Sequence, residues 1–83
     1  MEFTHRGRRY RVESNEVLEA MIGEEPEGAT QKHRYYVKIG NNEYPIKQVI
    51  TKALRLPKAS FTSMDAYRIL ERLGFKIIEK EVQ

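Results

Sequence analysis

Apolar and polar positions change their spacing along the chain, and each change marks an element. Phe3, Tyr10 and Val12 alternate with polar residues on either side of Arg6-Gly7, which is the period of two expected of a β-hairpin. A turn at Arg6-Gly7 sets Phe3 opposite Tyr10. Val17, Leu18, Met21 and Ile22 then recur at helical spacing. Ser14 or Asn15 caps this helix, Glu16 and Glu19 favour the positive end of its dipole, and Gly23 stops it. Residues 24–32 show no period and read as an exposed acidic loop.

Alternation returns from His33 to Ile39, with Tyr35, Val37 and Ile39 on one face and Arg34, Tyr36 and Lys38 on the outer one. Gly40-Asn41-Asn42 turns the chain into a brief strand at Glu43-Tyr44, and Pro45 stands where a helix can begin without its N–H. Ile46, Val49, Ile50, Ala53 and Leu54 form the stripe of a core-facing helix, with Lys47, Gln48, Thr51, Lys52 and Arg55 on its other side. That helix ends before Pro57. Thr62 and Asp65 form a capping box for the next one, and Phe61 is placed to staple Ala66. Ala66, Ile69, Leu70 and Leu73 are its buried stripe, Gly74 ends it, and Phe75 to Ile78 return as a strand.

The predicted order is β-β-α-β-β-α-α-β. This is an α+β fold in which an antiparallel sheet packs on two or three helices. One domain spans residues 1–83, made of a basic hairpin (1–12), the acidic loop (24–32) and a hairpin-helix-helix-strand core (33–79). At 83 residues the chain has room for one hydrophobic core. It contains no cysteine, so neither a disulfide nor a thiolate-bound metal supports it, as is usual in a reducing compartment. No apolar run approaches the roughly 18 residues of a membrane span, and the expected location is cytoplasmic.

Charge is unevenly distributed. The net charge of +3 combines +3 over residues 1–12, −6 over 13–30, +6 over 31–64 and zero over the remainder. Two basic blocks flank an acidic one, which predicts a one-sided positive surface where the fold brings the basic blocks together.

Catalytic chemistry finds little support in the chain. His5 and His33 have no further ligands at metal spacing, and Ser14, Ser60 and Ser63 lie at or near helix caps with no His–acid pair. There is no nucleophile elbow, phosphate loop or dinucleotide fingerprint. Glu43 and Lys47 resemble part of a nuclease acid–lysine pair but lack a second carboxylate for Mg²⁺. No catalytic residue, metal or cofactor is therefore assigned.

The basic residues are the candidate site. Arg6, Arg8, Arg9 and Arg11 crowd the hairpin, and Arg34, Tyr36 and Lys38 share a strand face where a tyrosine can stack on a base. Lys47, Lys52, Arg55 and Lys58 line one side of the first long helix and the turn after it. DNA is the expected partner. The alternative is a protein partner or a homodimer, using the acidic helix and loop or the exposed strand face.

One stretch also carries a family likeness. Tyr44-Pro45-Ile46-Lys47-Gln48-Val49-Ile50-Thr51-Lys52-Ala53, then Phe61-Thr62-Ser63, Ala66 and Leu70, and then Leu73-Gly74-Phe75-Lys76-Ile77, resemble the N-terminal head domain of HNH restriction endonucleases that attack modified DNA. Related modules fused to other nucleases share the pattern. The likeness covers roughly residues 35–79. It departs from the pattern at Thr62-Ser63-Met64, where those relatives carry a Gly-rich step, and no HNH nuclease segment is attached. The resemblance implies a DNA-related accessory role, does not imply cleavage, and marks Lys47 as the matching polar position.

Overall fold

Helix α2 (Ile46–Leu54) organises the molecule, because residues all round it are buried: Ile46, Val49 and Ile50 on its apolar stripe, and Gln48 and Thr51 on the side expected to be polar. The computed structural model describes residues 1–27 and 34–80, and His33 lies outside them. Around α2 the elements follow in the predicted order. They are β1 (Glu2–His5), β2 (Arg8–Arg11), α1 (Ser14–Ala20), β3 (Tyr35–Ile39), β4 (Asn42–Pro45), α2, a single 3₁₀ turn (Lys58–Ser60), α3 (Ser63–Arg72) and β5 (Ile77–Glu79). Among the described residues no helix is long and apolar enough to cross a membrane.

The strands form two sheets instead of one. Among the described residues β1 and β2 pair with no other strand, and Phe3 lies opposite Tyr10 as the sequence predicts. Arg6 (φ 51) and Gly7 (φ 77) both have positive φ, as a tight two-residue hairpin turn requires. β3 is the middle strand of the second sheet, antiparallel to β4 on one side and β5 on the other. The returning strand begins at Ile77, two residues later than expected, because Gly74 and Phe75 are used to close α3. The Phe75 N–H donates to the Leu70 carbonyl (3.0 Å) with Gly74 at φ 93, the left-handed helix end that glycine favours.

The hairpin is fastened to the connection between α2 and α3. The His5 ring stacks on Phe61 with centroids 4.4 Å apart, and His5 Nε2 donates to the Ser60 carbonyl at 2.6 Å. Tyr10 approaches the same Phe61 ring at 6.3 Å and stacks on Phe3 at 5.4 Å. Phe61 is 2 % exposed, so this aromatic group joins the small sheet to the main core.

Three local expectations change. Glu13, not Ser14 or Asn15, is the cap of α1: its N–H donates to the Glu16 carboxylate at 3.0 Å, and the Ser14 hydroxyl instead donates to the Leu73 carbonyl at 2.9 Å. Only half of the α1 stripe is covered. Val17 and Met21 are in the core, whereas Leu18 and Ile22 are 45 % and 78 % exposed. On β3 the inner and outer faces do not separate, because Tyr36 is 6 % exposed. It is opposite Pro45 on one neighbour and Ile78 on the other, with Lys80 Nζ 4.6 Å from its ring centroid. Cross-strand neighbours on both sides thus shield Tyr36, while Lys38 on the same face stays exposed.

The start of α3 matches its sequence signature. Thr62 Oγ1 accepts from the Asp65 N–H at 3.1 Å, and Asp65 Oδ2 accepts from the Thr62 N–H at 3.0 Å. That backbone bond, more than the nearby His5, holds the Asp65 carboxyl below its ordinary value. A carboxyl whose pKa is depressed by folding stabilises the protein above its unfolded value, and the contribution fades as pH falls through the folded one. Asp65→Asn is therefore expected to cost roughly 0.5–2 kcal/mol at neutral pH, with the difference from wild type shrinking below about pH 4. Urea titrations at several pH values read this directly, and a pH-independent difference would refute it. Leu70, fully buried in the core, is expected to cost about 2–5 kcal/mol on truncation to alanine. A loss under about 0.5 kcal/mol would mark a surface site.

Candidate nucleic-acid interface

Whether a cation is available to a polyanion depends first on its neighbours within the chain. Arg6, Arg8 and Arg9 occupy the turn and the start of β2, and all three are exposed. Among the described residues none of them lies within ion-pair distance of a carboxylate. Arg9 pairs across the hairpin with Thr4, Arg8 with His5 and Arg11 with Glu2. Arg11 also reaches Glu13 at 3.5 Å, so positive charge is least compensated at the tip of the hairpin.

The cations of the second basic block are differently placed. Arg34 pairs with Glu79 at 3.4 Å across the β3–β5 edge, and Lys38 is exposed. Lys52 pairs with Glu24 at 3.0 Å, and Lys58 pairs with Glu27. Lys47 and Arg55 have no carboxylate partner among the described residues. Tyr36, expected to offer a stacking face beside Arg34 and Lys38, is covered and presents none.

The glutamates reach Lys52 and Lys58 because the first part of the acidic loop lies along α2. Gln48 Nε2 donates to the Glu25 carbonyl at 2.8 Å, and Gln48 Oε1 accepts from the Glu27 N–H at 2.9 Å. The Tyr44 hydroxyl donates to the Glu24 carbonyl at 2.9 Å. These three bonds, two of them made by an amide that is 5 % exposed, fix the backbone of residues 24–27. The exposed ion pairs add little to that. The loop was expected to be free and exposed, and the acidic and basic blocks to be segregated. Instead residues 24–27 form a strap that neutralises Lys52 on α2 and Lys58 on the 3₁₀ turn, while residues 28–32 of that loop lie outside the described residues.

Glu43, set aside above as half of an acid–lysine pair, has another partner. Glu43 carries an ion pair with Lys80 at 2.6 Å, a bond that holds the Lys80 ammonium above the ordinary lysine value. No three His, Asp or Glu side chains among the described residues are grouped to hold a metal ion.

Four stretches distant in sequence meet in a concave site, one of them the strap at Glu27. Arg34 and Tyr35 at the start of β3, Pro45, Ile46 and Lys47 at the entry to α2, and Lys58 and Ser63 around the α2–α3 connection line a cavity of about 270 Å³. Tyr35, Ser63 and Glu27 were not among the expected site residues. Tyr35 had been placed on the core face of its strand, and Ser63 reads as a helix-cap neighbour. No local pattern in the sequence brings these stretches together, because they are far apart along the chain.

The strap has a measurable consequence. Glu24→Gln/Glu27→Gln removes two negative charges while leaving the Gln48 and Tyr44 bonds to its backbone in place. The double variant is expected to bind a polyanion such as heparin with a steeper salt dependence, by up to about 1.8 in log K against log salt if Lys52 and Lys58 each gain one contact. Elution from a heparin column and a salt-dependent titration check it, and an unchanged slope would show that the two lysines face away from the ligand.

No curated protein and no solved structure matches the chain. A family model does match, over residues 8–83. The match takes in β2 and every element after it, leaving out only the first strand and the hairpin turn. The chain belongs to the SCO5918-like family.

Proposed function

We propose that the domain is a non-catalytic nucleic-acid-binding module whose primary contact is between the hairpin tip and the phosphate backbone of DNA. The observation that carries this reading is the contrast between the cations. Arg6, Arg8 and Arg9 crowd one exposed hairpin turn with no carboxylate partner among the described residues, whereas Arg11, Arg34, Lys52, Lys58 and Lys80 each have one. The remaining unpaired cations among the described residues (Lys38, Lys47, Arg55, Arg68, Arg72 and Lys76) are spread over β3, α2, α3 and the turns after the helices. Three guanidiniums on a short, rigidly docked hairpin suit phosphate oxygens, which accept two parallel N–H bonds from each. Lys47 and Arg55 extend the basic surface to α2. The likeness to head domains of restriction endonucleases supports DNA as the polymer and an accessory role beside a nuclease.

A second reading has its own observation. Leu18 and Ile22 leave an apolar patch on α1, beside the exposed Glu16 and Glu19. A basic, apolar protein segment would cover it.

If each of Arg6, Arg8 and Arg9 neutralises one phosphate, log K for duplex DNA falls with log salt at a slope of about 2.7. Arg8→Ala/Arg9→Ala is expected to remove about 1.8 of that slope with the fold intact by circular dichroism. Fluorescence anisotropy at several salt concentrations measures both. A flat salt response, or a slope indifferent to the arginines, would transfer the assignment to the α1 patch and a protein partner.

A further inference from the structure

The cavity between β3, α2 and α3 is not used by the hairpin contact, and its lining has two distinct parts. Tyr35, Pro45 and Ile46 form an apolar floor and wall. Tyr35 is held in place by Tyr67, edge to face, with centroids 5.2 Å apart and planes at 81°. Around this floor stand Arg34, Lys47 and Lys58, with the Ser63 hydroxyl as a neutral donor and acceptor. One carboxylate shares the lining, Glu27 on Lys58, and Arg34 leans on Glu79 outside it. Lys47, half-buried, has no acidic partner among the described residues. Three cations face one acid, so the lining keeps a positive excess.

Size narrows the choice of ligand. Small-molecule sites commonly run from roughly 300 to 1,000 Å³, and this cavity, at about 270 Å³, lies just below that range. It has room for one planar ring system, with charged substituents at its mouth. A bare inorganic anion would leave the apolar floor unused, and an apolar ligand would strand Lys47. A planar, hydrogen-bonding ring joined to a phosphate satisfies both parts. Such a ring lies against an aromatic wall and aliphatic surface, while its phosphate lies among ammonium and guanidinium groups.

We infer that this cavity is a nucleotide site: it holds one base against Tyr35, Pro45 and Ile46, with the attached phosphate bound by Lys47 and assisted by Arg34 and Lys58. The nucleotide is either a free monophosphate or one unit of a strand. In the second case the site deepens the nucleic-acid reading above and rests on it. Lys47 is then a binding residue in its own right, and the Tyr-Pro-x-Lys segment supplies both the floor and the charge.

Amide-resolved NMR titration of the whole chain separates the outcomes. The probes are 2′-deoxynucleoside 5′-monophosphates, inorganic phosphate and a short single-stranded oligonucleotide. Monophosphates are expected to shift the amides of residues 34–35, 46–47 and 63, with inorganic phosphate weaker by at least about fivefold because it lacks the ring. Lys47→Ala, at a half-buried position beside solvent, is expected to weaken monophosphate binding about tenfold. Response to the oligonucleotide alone would identify a strand as the source and uphold the site. Equal affinity for phosphate and monophosphates would overturn it, since the base would then contribute nothing. So would an oligonucleotide that shifts only hairpin amides, and that result would leave the hairpin reading standing. Monophosphate binding in a chain that ignores duplex and single strands would uphold the site and end the hairpin reading instead.

Discussion

Everything placed around α2 depends on how Gln48 is satisfied. An amide that is 5 % exposed has to find partners inside the protein, because leaving its donor or acceptor unpaired costs on the order of 1–3 kcal/mol. Gln48 finds them in the backbone of residues 25 and 27. The polar side of α2 thus becomes a second buried side. The strap closes it, Thr51 turns its hydroxyl back to the Lys47 carbonyl at 2.7 Å, and the cations of that side are left at its rim. From this one clasp follow the pairing of Lys52 and Lys58 with strap glutamates and the uncompensated state of Lys47 at the helix entry.

The same clasp explains how far the charge pattern of the chain could be read. Blocks of +3, −6 and +6 along the sequence suggest segregated faces only if the acidic block stays apart from the basic one. A Glu-rich stretch lacking a period gives no sign that its backbone will be held by a glutamine three elements later. The hairpin was easier to read because its determinants are local: alternation around Arg6-Gly7 sets the register, and the Phe3–Tyr10 pairing follows. The Thr62–Asp65 box and the Gly74 helix end are equally local. Tyr36 was not readable, because its burial comes from β4 and β5 closing on both sides of β3, and alternation alone describes a strand with one dry face. The cavity at the α2 entry is non-local in the same way, since its lining comes from the strap, β3, the start of α2 and the connection after it.

Two backbone positions bear on which cations are kept for their side chains. Among the described residues Arg6 (φ 51) and Arg55 (φ 57) are the non-glycine residues with positive φ. The left-handed conformation costs an ordinary L-residue roughly 1–2 kcal/mol, which glycine avoids. Arg55 ends α2 where glycine usually stands: the Leu56 N–H donates to the Thr51 carbonyl at 3.0 Å, the same closure that Gly74 gives α3. Packing does not require an arginine at either place, because both side chains are exposed. No hydrogen bond or ion pair of either guanidinium within the described residues offsets the strain, which favours a role for them in contact with something outside the chain. A phosphate backbone meets that need more directly than an apolar partner does. Arg6 adjoins Arg8 and Arg9 on the hairpin, and Arg55 follows the helix that Lys47 begins, so the two strained positions extend the two basic surfaces left open by the strap.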